Sequence, residues 1–251
     1  MSEPYRDPVA VEKFYSTVED KIAPILKDAD RERRSPQGDE LECLCVFMAL
    51  QWSRVPAFRP KALEIAYKIN RANMKRVLKS PASWGRMLKK FKISPDAEGA
   101  DYGKMKKFVE SEQYSMSASN EWYVQQGLES AETILPSLSS RHWNAYVSQK
   151  GSFIASDNPV VLEAENRKLI GFENADVITY PLSRHVFLLG TKVGMSFAPL
   201  TEKLIARLNT LMMIKAHAQV FSSKPDFCLL DHSERYQTDW RLFAKEQFDI
   251  L

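Results

Sequence analysis

Ser156-Asp157-Asn158-Pro159 sets one carboxylate at a turn between two apolar stretches, Phe153-Ile154-Ala155 and Val160-Val161-Leu162. A carboxylate at the mouth of a cleft can act as a general base, a metal ligand or the partner of a substrate cation, with Ser156 to orient it. The same residues equally suit a plain turn, because Asp and Asn bond their own backbone and Pro presets φ. Asp157 is the one catalytic candidate of the chain. Gln51 and Arg54 fall three residues apart at the end of an apolar helical segment, so they share a face, and the guanidinium fork of Arg54 suits a carboxylate or a phosphate. Two arrangements are open. Either Arg54 pairs with Asp157 and ties a helical half to a sheet, or Gln51, Arg54, Ser156, Asn158 and Ser183 surround Asp157 as a substrate pocket between the halves.

Other chemistries find little support. His142, His185, His217 and His232 are scattered, with no helical His pair at metalloprotease spacing. Ser183 and His185 would share one face of a strand, yet there is no Gly-x-Ser-x-Gly elbow, and a surface or packed histidine is the expected role. Neither a Gly-x-x-x-x-Gly-Lys loop nor Gly-x-Gly-x-x-Gly is present, so no nucleotide cofactor is indicated. Cys43 and Cys45 point to different sides of a helix and have no second pair at ligand spacing, so no metal site is expected. Three cysteines and an N-terminus without basic-then-apolar signal character point to a reducing cytoplasm. No apolar run approaches the roughly 20 residues that span a bilayer, which argues against a membrane partner.

Charge is distributed unevenly. The 251 residues carry a formal net charge of only +3. Residues 54–92, however, hold twelve Lys and Arg against the single acid Glu64, while residues 1–53 hold eleven Asp and Glu against seven Lys and Arg. Lys68, Arg71, Lys75 and Lys79 repeat at helical steps; Arg76, Arg86, Lys89, Lys90 and Lys92 add to them, and Trp84 and Phe91 are interleaved. Cations that neutralise phosphates beside aromatics that stack on bases suit single-stranded nucleic acid. The alternative is a solvated face whose acids come from the N-terminal segment.

The elements that must position these groups follow from periodicity. Val11, Phe14, Tyr15, Val18, Ile22, Ile25 and Leu26 mark a helix over 8–28. After Ser35-Pro36-Gln37-Gly38, Asp39 is the expected cap of a second helix that Pro56 ends. Helices are expected at 60–78, at 81–91 and across 104–134, with Pro136 as a stop. Beyond Ser140, short β-branched and aromatic segments at 143–147, 152–155, 159–163, 177–180 and 186–189 read as a mostly antiparallel sheet. A helix from Pro199 to about Phe221 follows, then a strand at 227–230 and a short terminal helix.

Phe14-Tyr15, Ala49-Leu50-Gln51-Trp52-Ser53-Arg54-Val55-Pro56, Trp143, Phe153 to Leu162, Tyr180-Pro181-Leu182-Ser183, Leu208-Asn209 and Ala218-Gln219-Val220-Phe221-Ser222 occur in an order that resembles the domain-of-unknown-function 4238 family. The resemblance implies no reaction. One departure from the family pattern is that no His-Tyr-Val-Pro-like segment precedes Phe14, which favours a binding role over a catalytic one.

The expected architecture is α+β: a helical part over 1–138 packed on a small antiparallel sheet with its helix over 139–251. Two functions are carried forward. One is an enzyme, such as a hydrolase, acting on a phosphate-containing or nucleic-acid substrate beside Asp157. The other is a non-catalytic binding or inhibitory protein that uses residues 54–92 to hold nucleic acid or an acidic protein.

Overall fold

A computed structural model describes residues 8–165, 170–194, 198–241 and 243. Seven helices are labelled in it: α1 (Pro8–Glu32), α2 (Asp39–Arg54), α3 (Phe58–Val77), α4 (Pro81–Lys90), α5 (Tyr102–Ser111), α6 (Asn120–Ser139) and α7 (Glu202–Lys215). The main sheet has four strands, β1 (His142–Val147), β3 (Val161–Glu163), β4 (Val177–Pro181) and β5 (Val186–Thr191), in the order β1-β5-β4-β3 with every pair antiparallel. Two small ladders accompany it. β2 (Ala155–Ser156) pairs with β6 (Val220–Phe221), and β7 (Leu229–Leu230) pairs with β8 (Tyr236–Gln237).

Side chains of successive strand residues point to opposite faces, and both faces of this sheet are covered. Val186 and Leu188 of β5, with Ile178 and Tyr180 of β4, pack into one core with Ile22 and Ala29 of α1, Leu44 and Met48 of α2, and Ile134 and Leu138 of α6. Phe187 looks the other way and joins Tyr146, Phe153, Ile154 and Val161 against Leu208 and Met212 of α7. The result is a helix, sheet and helix layering. Trp143 lies flat against Gly190, where an added Cβ would come within 2.9 Å of the indole, and its Nε1 donates to the Leu138 carbonyl at 3.0 Å.

The chain clusters into two compact units, 1–56 with 124–251, and 57–123. The division expected at residue 138 does not coincide with them, because α1 and α2 share a core with the sheet. The 57–123 unit has its own core of Leu78, Trp84, Leu88, Ala100 and Val109. Trp84 is consumed there, its Nε1 donating to the Ala100 carbonyl at 2.6 Å.

Local chemistry accounts for most boundaries. Ser80 caps α4 by accepting from the Ser83 amide, Asp101 caps α5 through the Lys104 amide, and Thr201 caps α7 through the Leu204 amide. Gly38, at φ 53°, caps α2 in place of Asp39, which is the first helical residue and joins Glu40 and Glu42 in an acidic first turn that suits the helix dipole. The expected 104–134 helix is two helices. Glu112 adopts a left-handed φ of 56° and ends α5, Ser115 and Ser117 follow, and the Ser119 hydroxyl accepts from the Trp122 amide to start α6. Pro136 does not stop α6, which runs to Ser139; a proline one turn from the end removes a single helical bond. α7 starts after Pro199 and ends at Lys215, well before Phe221, because residues 220–221 are drawn into the ladder with β2. Residues 152–154 lie outside any strand, β3 begins two residues later than expected, and the 227–230 strand is confined to 229–230. The terminal helix falls mostly outside the described residues.

Buried polar side chains brace the loops of the 1–56 and 124–251 unit. Arg141, 7% exposed, donates to the carbonyls of Phe172 at 2.6 Å and Ala175 at 2.9 Å, and more distantly to those of Asp176 and Gly190. Burial lowers its pKa, opposed by the nearby Asp176. Asn209, fully buried, accepts from the Ile154 amide and donates to the carbonyls of Ser152 and Cys228, joining α7 to two loops. Arg141→Met would leave the carbonyls of residues 172 and 175 unpaired in the interior, a loss of about 2–3 kcal/mol. Urea unfolding should show this as a lower midpoint at unchanged slope.

Candidate functional site

Asp157 follows β2 directly and turns its carboxylate onto the loop that leaves α7. Its Oδ1 accepts from the His217 amide at 2.8 Å, and its Oδ2 accepts from the amides of Ala218 at 2.8 Å and Gln219 at 3.1 Å. The Asp157 amide in turn donates to the Gln219 carbonyl at 3.0 Å. Beside it, the Ser156 hydroxyl accepts from the Asn158 amide, and the Asn158 side chain donates to the Lys215 carbonyl at 2.9 Å. The whole Ser156-Asp157-Asn158 turn therefore clamps the C-terminal end of α7 to β2. A carboxylate holding three backbone amides is committed to that loop rather than offered to a substrate proton.

Gln51 and Arg54 lead elsewhere. The Gln51 Oε1 accepts from the Tyr180 hydroxyl at 3.0 Å, within the core between α2 and β4, where burial raises the tyrosine pKa. Arg54 pairs with Glu19 of α1 at 2.9 Å and lies over the Tyr15 ring at 4.3 Å. The expected Arg54 to Asp157 ion pair is not formed, because each group has nearer partners in its own layer. The proposed pocket of Gln51, Arg54, Asp157 and Ser183 is likewise not assembled.

Ser183 belongs to a different cluster, one that joins it to Asp30, His185 and Arg33. Its hydroxyl donates to Asp30 Oδ1 at 2.6 Å and accepts from the amides of His185 and Val186 at 3.0 and 3.1 Å. His185 Nδ1 meets the same Asp30 oxygen at 2.8 Å, while its Nε2 faces the Arg33 guanidinium at 3.2 Å. Arg can only donate, so Nε2 accepts and Nδ1 carries the proton. Gly151, at φ 64°, lies so close that an added Cβ would stand 2.8 Å from Nε2. Burial pushes the Asp30 carboxyl up, but the hydrogen bonds from Ser183 and His185, with the charge of Arg33, outweigh it and hold the carboxyl below its ordinary value.

Ser, His and Asp are all present, but their order is wrong for nucleophilic catalysis. A nucleophile must give its proton to the imidazole, and the imidazole must be oriented by the acid. Here Ser183 bonds to the acid directly, and the free imidazole nitrogen is covered by Arg33 and the Gly151 backbone. The cluster fastens the C-terminal end of α1 to the 183–185 turn.

Other concavities carry less chemistry. An apolar cavity of about 360 Å³ lies among Phe14, Val46, Leu50, Leu128 and Leu135, with Glu132 at its edge. It leaves Phe14, expected in the buried stripe of α1, 46% exposed. Burial raises the pKa of Glu163 on β3 against the opposing charges of Arg207 and Lys215, and pushes the Cys45 thiol up to about 11. No group of three His, Cys, Asp or Glu side chains among the described residues is placed to hold a metal ion.

The basic residues lie on the helices of the 57–123 unit. Lys68 pairs with Glu64 on α3, and Arg71 and Lys75 both pair with Glu112 at the end of α5. The acids that meet α3 in this unit thus come from α3 and α5, whereas acids of the N-terminal segment engage Arg31, Arg33, Arg34 and Arg54. Arg86 bonds the Ser83 hydroxyl, and Lys90 lies over Phe91, which is 64% exposed. Arg76, Lys79, Lys89 and Lys92 are exposed and have no ion pair among the described residues. Sequence reasoning missed Asp30 and Arg33, whose i, i+3 spacing at a helix end was the only local sign of their role. It also missed Glu112, which lies in a stretch read as one continuous helix.

Two outcomes follow from these geometries. Asp157→Ala should cost about 2 kcal/mol of stability by releasing three charge-assisted bonds, read as a fall in melting temperature. Asp30, with its folded-state pKa depressed, contributes stability that is present above the unfolded carboxyl value of about 3.9 and is lost as pH falls through the folded value. Asp30→Asn should therefore flatten the melting temperature against pH below about pH 4, relative to the unaltered chain.

Neither a curated protein nor a solved structure matches this chain. One family does, described as "Protein of unknown function (DUF4238)", over residues 2–226. The Gln51, Trp143, Asp157 and Asn209 segments that carried the resemblance are the ones that brace α2, the sheet and α7, and on the extent of that match the chain belongs to the DUF4238 family.

Proposed function

We propose that this protein binds nucleic acid through its 57–123 unit. The observation that carries the reading is charge segregation. Residues 57–123 hold fourteen Lys and Arg against seven Asp and Glu, whereas the rest of the chain holds twenty-one against twenty-five. A polyanion binds such a surface by releasing its condensed counterions, and the exposed Arg76, Lys79, Lys89 and Lys92 make no ion pair among the described residues that it would have to displace. Arg71, Lys75 and Lys68 contribute less, since Glu112 and Glu64 already meet them. An acidic protein would feel the same field, but exposed Phe91 beside Lys90 adds a contact that suits a base. The three cysteines are free, and we place the protein in the cytoplasm, where thiols stay reduced. No helix among the described residues is long and apolar enough to cross a membrane.

A catalytic reading is not adopted, because Asp157, Gln51 and Arg54 are bound to separate partners. The test is fluorescence anisotropy of a labelled 20-nucleotide single strand against the full chain at several salt concentrations. Affinity should fall with salt, and the triple reversal Arg76→Glu, Lys79→Glu, Lys89→Glu should reduce the log–log slope by about 2, at roughly 0.7 per lost phosphate contact. Absence of binding at low salt, or binding indifferent to both salt and reversal, would overturn the proposal.

A further inference from the structure

Within the 57–123 unit, α5 presents an aromatic stack that none of the readings above uses. The Phe108 ring lies on the Tyr114 ring with centroids 4.8 Å apart and planes inclined by 25°, and Tyr67 of α3 meets Tyr114 from another side at 5.8 Å. Phe108 is nevertheless 51% exposed, while its neighbour Val109 is 4% exposed and fixes α5 to the core. One ring face is thus backed by Tyr114, and the side chain is held in place with much of its surface open to solvent. Scattered exposed hydrophobics are ordinary on proteins, but a preorganised ring among cations is a narrower arrangement. Lys104 stands one helical turn before Phe108 on the same face and Lys107 is adjacent in sequence, and neither has an ion pair among the described residues. Arg71 is also near enough to Tyr114 to lower its pKa against the larger effects of burial and of Tyr67.

We infer that Phe108 is a base-stacking platform for single-stranded nucleic acid, with Lys104 and Lys107 meeting the phosphates on either side of the stacked base. The inference rests on the nucleic-acid reading above and narrows it to unpaired strands. A flat aromatic face accepts any base, because every base has a π-face, so little sequence preference is expected. A duplex, whose bases already stack on one another, gains only the electrostatic part.

The experiment compares the full chain with Phe108→Ala and Phe108→Tyr, using a labelled 12-nucleotide oligo(dT) and a 12-base-pair duplex in anisotropy titrations across salt. Circular dichroism verifies that each variant is folded. The platform predicts that Phe108→Ala weakens binding to the single strand about 10-fold at an unchanged salt slope, that Phe108→Tyr restores it, and that duplex binding is unaltered. If Phe108→Ala binds the single strand as the unaltered chain does, or loses duplex and single strand equally, the platform is refuted while polyanion binding stands. A Phe108-dependent self-association with no change in oligonucleotide affinity would likewise refute it and assign the ring to a protein contact. Failure of the unaltered chain to bind either oligonucleotide at low salt removes the broader reading and the platform with it.

Discussion

The pleat of β5 sets the arrangement of the larger unit. Val186 and Leu188 point to one side and Phe187 to the other, and each side receives its own helices. Because side chains alternate with period 2, a slip of one residue would exchange the two cores and present the bulk of Phe187 to α1, α2 and α6. Strand pairing on both edges of β5, with β1 and β4, fixes the register that prevents this. Once that register is set, the positions of α2, α6 and α7 follow from which face each can cover.

Polar side chains then close what packing leaves open. Asp157 gathers the amides of residues 217–219, Asn209 joins residues 152, 154 and 228, Arg141 gathers the carbonyls of the 172–176 turn, and Ser183 with Asp30 secures the end of α1. In each case a side chain is directed at backbone or at another partly buried side chain. Backbone groups in short loops beside a sheet have no ladder to pair with, and a fixed side chain supplies the missing donor or acceptor. The excess of Lys and Arg over Asp and Glu lies instead in the 57–123 unit, where Arg76, Lys79, Lys89 and Lys92 are exposed. The bracing side chains and the excess of cations thereby fall in different stretches of the chain.

How far this was legible in the sequence depended on the range of the interaction. The helices over 8–28 and ending at Pro56, and the strands around 143–147, 177–180 and 186–189, follow from periodicity and punctuation, which act within a few residues. The two-sided sheet was not legible, since Val186-Phe187-Leu188-Leu189 is apolar at every position and such a run does not name its partners. Glu112 in a left-handed conformation and the serines after it broke a helix that composition alone supported. The Asp30 to His185 bond spans a separation of 155 residues, and no local pattern encodes it. The Asp157 turn was legible as a turn, but the identity of its partners was not: amides carry no side-chain signature, so an arginine looked the better match.

The larger unit is interrupted between Pro56 and Val124 by a stretch that has its own core. During synthesis, residues 57–123 can bury Trp84 and Leu88 as soon as they leave the ribosome, for all their partners are contiguous. α1 and α2 have no such option. Their apolar stripes must wait for α6 and then for β4 and β5, the strands well over a hundred residues later. This places an early-emerging, incompletely covered helical hairpin on the nascent chain, the kind of surface to which holding chaperones attach.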